Sequence, residues 1–500
     1  MKQVDVIIVG AGLSGIGAAV HLKKSCPGKT FTLLEGRDAA AGTWDLFRYP
    51  GIRSDSDMHT LGYSFKPWTE AKAIADGPAI RNYVNETADE YGIRQHIRFG
   101  HHVDMASWNS KTSLWSVSAT LPDGTQTEVT ASFVFMCGGY YNYDEGYLPE
   151  FQAKADFKGQ IIHPQFWPED LDYAGKKVLV IGSGATAMTL VPAMAEQGAS
   201  VTMVQRSPTY VVSRPAEDAL ANSLRRWLPA KWAYAITRFK NVTLSGIFYR
   251  RMRTNPQQAK ETLLKMTRAQ IGDDMVDKHF TPSYNPWDQR MCLIPNGDLF
   301  KCINNGTAKV ITGHIDHWTE KGIKLKSGEH LEADIIVTAT GLKMVVMSGI
   351  EFKVDNHAIN FPDTFTYKGM MYSGLPNMAQ TFGYINASWT LRADLTSEYV
   401  CRLLNHMDAT GQNVVTPTLR QEDENMEARD WIEDFSSGYM QRMMHLLPKQ
   451  GHDPWRNTQN YKLDKVMIRR APIADDVLVF SEGLEQQAEL AIEEANRAVA

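Results

Sequence analysis

Cysteine is scarce in this 500-residue chain. The five residues Cys26, Cys137, Cys292, Cys302 and Cys401 are odd in number and contain no CxxC or CxxxxC pair. That excludes a disulfide framework and a dithiol redox centre, and it points to a reducing, cytoplasmic compartment. Long apolar runs are missing too: no stretch reaches the roughly 18 residues a membrane span requires. Charge of one sign is not in excess. The net charge of −5 gives no global argument for nucleic acid or an anionic membrane as partner. The opening MKQVDVIIVG is expected to be a first buried strand rather than a signal peptide, because Asp5 interrupts the apolar run and GAGLSG stands where a cleavage site would belong. No metal site is expected. With 43% hydrophobic and 22% charged residues, the composition is that of a globular protein of two to four domains at roughly 150 residues each.

What is present is a pair of glycine-rich turns. Residues 4–9 are a short apolar run suited to a central parallel strand. Gly10, Gly12 and Gly15 follow in a GxGxxG turn that includes Ser14, then a helical pattern over 15–24 and a second strand over 30–34 ending in Glu35. The glycines let a backbone and a helix N-terminus approach a pyrophosphate, and the acid can accept hydrogen bonds from ribose hydroxyls. Glu35 would repel a 2′-phosphate, so the site suits FAD or NAD, and its place first in a chain with two such turns favours FAD. The second turn, Gly182, Ser183, Gly184 and Ala187, follows a strand over 177–181. The next strand, 201–204, ends in Gln205-Arg206-Ser207 in place of an acid. Arg206 and Ser207 can hold a 2′-phosphate by charge-assisted hydrogen bonds, which points to NADPH. Residues 97–134 alternate as a β-meander with an Asp123–Gly124 turn. The expected fold is α/β: two Rossmann-like dinucleotide-binding domains, for FAD and NADPH, with a helical insertion.

Between the two turns runs FKGQIIHPQFWP, residues 157–168. Its Phe157, Gly159, His163, Trp167 and Pro168 resemble the fingerprint of the type I Baeyer–Villiger monooxygenases. A second stretch, AGTWDLFRYPGIRSD over 41–55, is similar to another pattern of that family, and YNPWDQRMCLIPNGDLF over 284–300 lies where the family carries its active-site arginine. Similarity to one bacterial branch of the family, that of the ethionamide-activating and long-chain alkane/ketone monooxygenases, extends over about residues 5–470.

The resemblance implies an enzyme that uses NADPH and O₂ to insert oxygen beside a ketone carbonyl, through a C4a-peroxyflavin, giving an ester or lactone, with sulfoxidation of thioethers as a side activity. It assigns catalysis to Arg290, a guanidinium able to stabilise anionic species, and to Asp55 as its orienting partner. It also counts Ser14, Thr43, Trp44, Asp55, Val103 and Arg290 among the cofactor-binding residues. The family often has a lysine before the arginine; Gln289 stands there, leaving more of the phosphate contact to Arg206. Asp57 is expected to cap a helix, Cys137 to be a small buried residue, and His163 to have a structural or conformational role. A helix beginning near Asn386 is expected to bring backbone N–H groups to the flavin, and Trp455 and Asn460 loosely fit a position that closes over the nicotinamide.

The expected organisation is a first part of the FAD domain over 1–150, the fingerprint linker over 151–176, an NADPH domain over 177–214 and 281–335, a helical insertion over 215–280, and the rest of the FAD domain with a peripheral tail over 336–500. The insertion is basic. Substrate lid, weak membrane-surface contact and solvated helices all remain open for it. Competing readings of the whole are a flavin-containing N- or S-oxygenase, an uncoupled NADPH oxidase and a nucleotide-binding redox sensor.

Overall fold

A computed structural model describes residues 2–433 and 435–483; the expected tail beyond residue 483 lies outside them. Strand Lys2–Val9 is the centre of the first sheet, with Phe31–Leu34 and Gln126–Met136 parallel to it on either side. Val6, Ile7 and Ile8 are fully buried. Alternate residues face opposite sides of a strand, and here Val6 and Ile8 enter one apolar cluster while Ile7 and Val9 enter another. The meander forms as the sequence implies. His102–Asn109, Leu114–Thr120 and Gln126–Met136 pair antiparallel. The last turn closes at Gly124, whose φ of +84° suits a residue without Cβ and whose N–H donates to Leu121 O at 2.8 Å.

The second sheet has five strands, all parallel, in the order Ala308–Thr312, Ser200–Gln205, Lys177–Ile181, Ile335–Thr338, Gln160–Ile162. Two expected boundaries shift. Residues 160–162, inside the expected linker, are the edge strand of this sheet. Residues 335–338 stay inside it as well, all four side chains buried, so the chain returns to the first unit only beyond Thr338. Pairing with neighbours on both sides holds that strand in place. The insertion folds as helices Ala219–Trp227, Ala230–Thr254, Pro256–Ile271 and Asp273–His279. Helix Trp389–Thr410 packs on Leu13–Ser25 of the first unit.

Candidate active site between the two sheets

The first turn is built into the core. A methyl group on Gly10 (φ +96°) would come within 2.9 Å of the Cys137 carbonyl oxygen, and one on Gly15 would overlap the carbonyl of Gly10. Helix Leu13–Ser25 starts at Gly12 with no side-chain cap, so its first N–H groups are left for a ligand. Glu35 is buried and accepts hydrogen bonds from the N–H of Ala11 at 2.7 Å and of Arg37 at 3.0 Å; burial raises its pKa against those contacts. Cys137, pushed up to about 12 by burial, is an inert packing residue. The second turn also opens on an uncapped helix, Ala185–Glu196 after Gly184, but a Cβ at Gly184 would meet nothing within 4 Å.

A single cavity of about 1280 Å³ is lined by both turns. It takes in Gly10, Gly12, Ser14, Glu35, Thr43, Trp44, Asp55 and Val103 from the first unit, and Gly182, Ser183, Gly184, Arg206, Ser207 and Arg290 from the second. Gly15 and Ala187 lie behind the wall; Ala187 is fully buried under its helix. This volume exceeds the roughly 300–1,000 Å³ of a single-ligand pocket. Two uncapped helix N-termini, one beside a buried acid and one beside an exposed arginine, are a donor set that fits two different dinucleotides.

Arg290 follows a turn over 285–288 and precedes strand Cys292–Pro295, which aims it inward. Its Nη2 lies 2.6 Å from Asp55 Oδ2, with the two side chains 37% and 38% exposed. The Asp55 carboxylate holds the guanidinium well above its ordinary pKa, with Tyr439, Tyr140 and Tyr141 around it adding to the effect. Burial pushes Tyr141 up to about 12 and raises Tyr140 and Tyr439 as well, so these phenols stay protonated. The pair stands where the first cavity meets a second one of about 1930 Å³, since Asp55, Ser56, Arg290, Met291 and Cys292 line both. The insertion helices wall the second cavity.

The loop 41–55 joins the units through alternate residues. Tyr49 is packed against Thr186 of the second unit. Gly51 (φ +73°) lies against the second unit's helix, where a Cβ would come 2.7 Å from that of Ala193. Arg53 pairs with Asp298, and Asp55 with Arg290. Tyr49 and Gly51 lie on a turn closed by the Ile52 N–H to the Tyr49 carbonyl at 3.3 Å, and Arg53 and Asp55 follow directly after it.

His163 accepts the Gln165 N–H at Nδ1 (3.3 Å) and faces the Gly341 carbonyl with Nε2 (3.1 Å). A backbone N–H can only donate and a carbonyl only accept, so the ring is the neutral Nε2–H tautomer. Burial lowers its pKa further. Both nitrogens are engaged, which excludes a general base. Phe157 packs edge-on against Trp318, and Trp167 against Tyr173. A Cβ on Gly159 would collide with the Asp334 carbonyl. Pro168 is exposed, and its carbonyl closes a turn to Leu171.

Asp57 caps helix Met58–Leu61, accepting from Thr60 N at 3.1 Å. The helix expected near Asn386 begins at Trp389, with Ser388 as its cap residue; Asn386 is drawn off by a hydrogen bond to Gln459 O at 3.0 Å. Its N-terminus still lines the first cavity, and Trp389 Nε1 donates to Ser14 Oγ at 2.7 Å. Trp455 is fully buried core and Asn460 is a helix cap. Tyr140, Tyr141 and Tyr439 were not expected; an aromatic run at 140–143 after the Gly138–Gly139 strand end was the signal for the first two.

The class this arrangement defines is an α/β protein with two dinucleotide cradles meeting at an arginine–carboxylate pair. The flavin-binding monooxygenase-like family matches residues 70–354 and an NAD(P)-binding Rossmann-like domain matches residues 8–76. The chain belongs to the flavin-binding monooxygenase-like family. It is 52% identical over 483 residues to the FAD-containing monooxygenase EthA of Mycobacterium tuberculosis (strain ATCC 25618 / H37Rv), covering 96% of this chain and 98% of that protein. Among solved structures, an oxidized steroid monooxygenase bound to NADP superposes with a TM-score of 0.77 at 22% identity, covering 96% of this chain and 100% of that one. An OTEMO complex with FAD and NADP does so with a TM-score of 0.73 at 21% identity, covering 96% and 99%.

Proposed function

We propose that the protein is an FAD-containing, NADPH-dependent Baeyer–Villiger monooxygenase that converts a ketone, O₂, NADPH and a proton to an ester or lactone, water and NADP⁺. The observation that carries this reading is the Arg290–Asp55 pair at the junction of the two cavities. FAD, held in the first cradle and reduced by NADPH from the second, supplies the redox chemistry with O₂.

The rest falls to side chains. Gly12 and Gly184 leave helix N–H groups for the two pyrophosphates, Glu35 receives the FAD ribose, and Arg206 with Ser207 receives the 2′-phosphate of NADPH. Arg290 keeps its charge through the cycle and stabilises the oxyanion that develops on the substrate carbonyl oxygen; one such donor is worth roughly 10²–10³ in rate. Asp55 orients it and offsets the cost of placing a cation there. The tyrosine hydroxyls stay neutral donors around it and exclude water. The second cavity takes the ketone. Thioethers reach the same place and give sulfoxides.

The test compares wild type and Arg290→Met on a ketone and thioether panel by mass spectrometry. Attack on sulfur raises no carbonyl oxyanion, so the variant should lose ester formation about a hundredfold or more while sulfoxidation falls much less. Wild type giving sulfoxide alone would move the protein to the S-oxygenase class, and NADPH consumption with peroxide alone to the oxidases.

A further inference from the structure

The insertion carries an exposed apolar face on its outer side. Helix Ala230–Thr254 packs inward through Ala233, Tyr234, Thr237 and Met252. Its opposite stripe, Trp232, Ile236, Phe239 and Ile247, is 68%, 43%, 74% and 55% exposed. Steps of four, three and eight residues keep these side chains on one face, over about 22 Å at 1.5 Å per residue. The adjoining helix Ala219–Trp227 adds Leu220 and Trp227, seven residues apart and 46% and 84% exposed. Single exposed apolar residues are ordinary; six large ones on two adjoining helices mark an interaction surface.

Positive charge predominates around this face, with Glu217, Asp218 and Glu261 at its margins and Asp218 paired with Lys240. Residues 219–260 contain nine Lys and Arg and no Asp or Glu, in a chain whose net charge is −5. Arg226, Lys231, Arg250 and Arg251 are exposed. Outward Trp and Phe flanked by cations are what a helix lying in a lipid headgroup region presents. A second copy is a poorer occupant, because a two-fold contact would set this predominantly basic surface against itself. The face is also the outer wall of the second cavity: Leu220, Phe239, Leu244 and Ile247 line that cavity while remaining exposed.

We propose that this face seats on an anionic lipid bilayer, with the aromatic and aliphatic side chains in the headgroup boundary and the basic side chains against lipid phosphates. The test is flotation of the FAD-loaded full chain with vesicles of phosphatidylcholine alone or of an equimolar mixture with phosphatidylglycerol, read beside size-exclusion chromatography. Binding is expected with the anionic vesicles, weakening as salt is raised. Arg250→Gln and Arg251→Gln should each lower partitioning roughly fivefold. Trp227→Glu with Trp232→Glu should abolish flotation while flavin absorbance and Tm remain those of wild type. Four results overturn the proposal: no flotation of wild type, equal flotation with neutral vesicles, undiminished flotation of the double variant, or a wild-type dimer that the double variant splits.

Discussion

At the first glycine turn a methyl group has no room on Gly10, where it meets the Cys137 carbonyl, or on Gly15, where it meets the chain's own backbone, while on Gly12 it makes only ordinary contact with Gly42. At the second turn a methyl on Gly182 would likewise meet a carbonyl, that of Ala339; Gly184 faces open space, and Arg206 and Ser207 are exposed beside it. The two turns share a motif but not an environment. One is packed inside a nine-stranded sheet with a buried glutamate; the other lies on a smaller parallel sheet with an arginine at its lip. A cradle buried on that scale suits a cofactor that stays, and an open cradle suits one that enters, is consumed and leaves. The proposed places of FAD in the first cradle and NADPH in the second follow the buried Glu35 of one and the exposed Arg206 of the other.

Breaking the first cradle should have the largest effect. Gly15→Ala puts a methyl into the Gly10 carbonyl, so the protein is expected to lose its flavin on desalting and to drop in Tm. Gly184→Ala, in open space, should keep its yellow colour and Tm and raise KM for NADPH alone. Equal behaviour of the two variants in flavin absorbance would erase the contrast. Next in size is Asp55→Ala, at the seam between the cradles. Leaving Arg290 without its partner is expected to lower ester formation about 10- to 100-fold while FAD stays bound, checked by kcat and flavin content. Arg206→Gln should raise KM for NADPH roughly tenfold or more, from the loss of a charge-assisted hydrogen bond, with KM for NADH unchanged. An equal rise for both nucleotides would take the 2′-phosphate away from Arg206.

The smallest effect is expected at His163. Its folded pKa lies below the unfolded value of about 6.5, so its contribution to stability is complete above that value and is lost as pH falls below it through the lower folded pKa. The Tm of wild type should therefore drop on acidification more than that of His163→Gln. His163→Ala should slow turnover with the product unchanged, as read by product ratio.

The parts legible in the sequence were those with a local cause. Residues 4–9 read as a buried strand because nothing polar but Asp5 interrupts them, and Asp57 read as a cap from its place before a helix. Arg290 and Asp55 were reached through motif resemblance, and the structure brings them to 2.6 Å although 235 residues separate them in sequence. What was not legible depends on contacts between distant segments. Tyr439 closes on Arg290 from a four-residue helix, Gly438–Gln441, whose own sequence says nothing of its neighbour. The clasp made by Tyr49, Gly51, Arg53 and Asp55 needs the second unit in place before its spacing means anything. The start of helix Trp389–Thr410 was misplaced by three residues because Asn386, a good cap by type, is taken by Gln459.

The most direct test is a single turnover of the FAD-loaded protein with NADPH, a ketone and isotopically labelled dioxygen. The account predicts one labelled oxygen in the ester, with the other leaving as water, and loss of the labelled ester in Arg290→Met. Label found only in peroxide or water, with the ketone recovered intact, would contradict it.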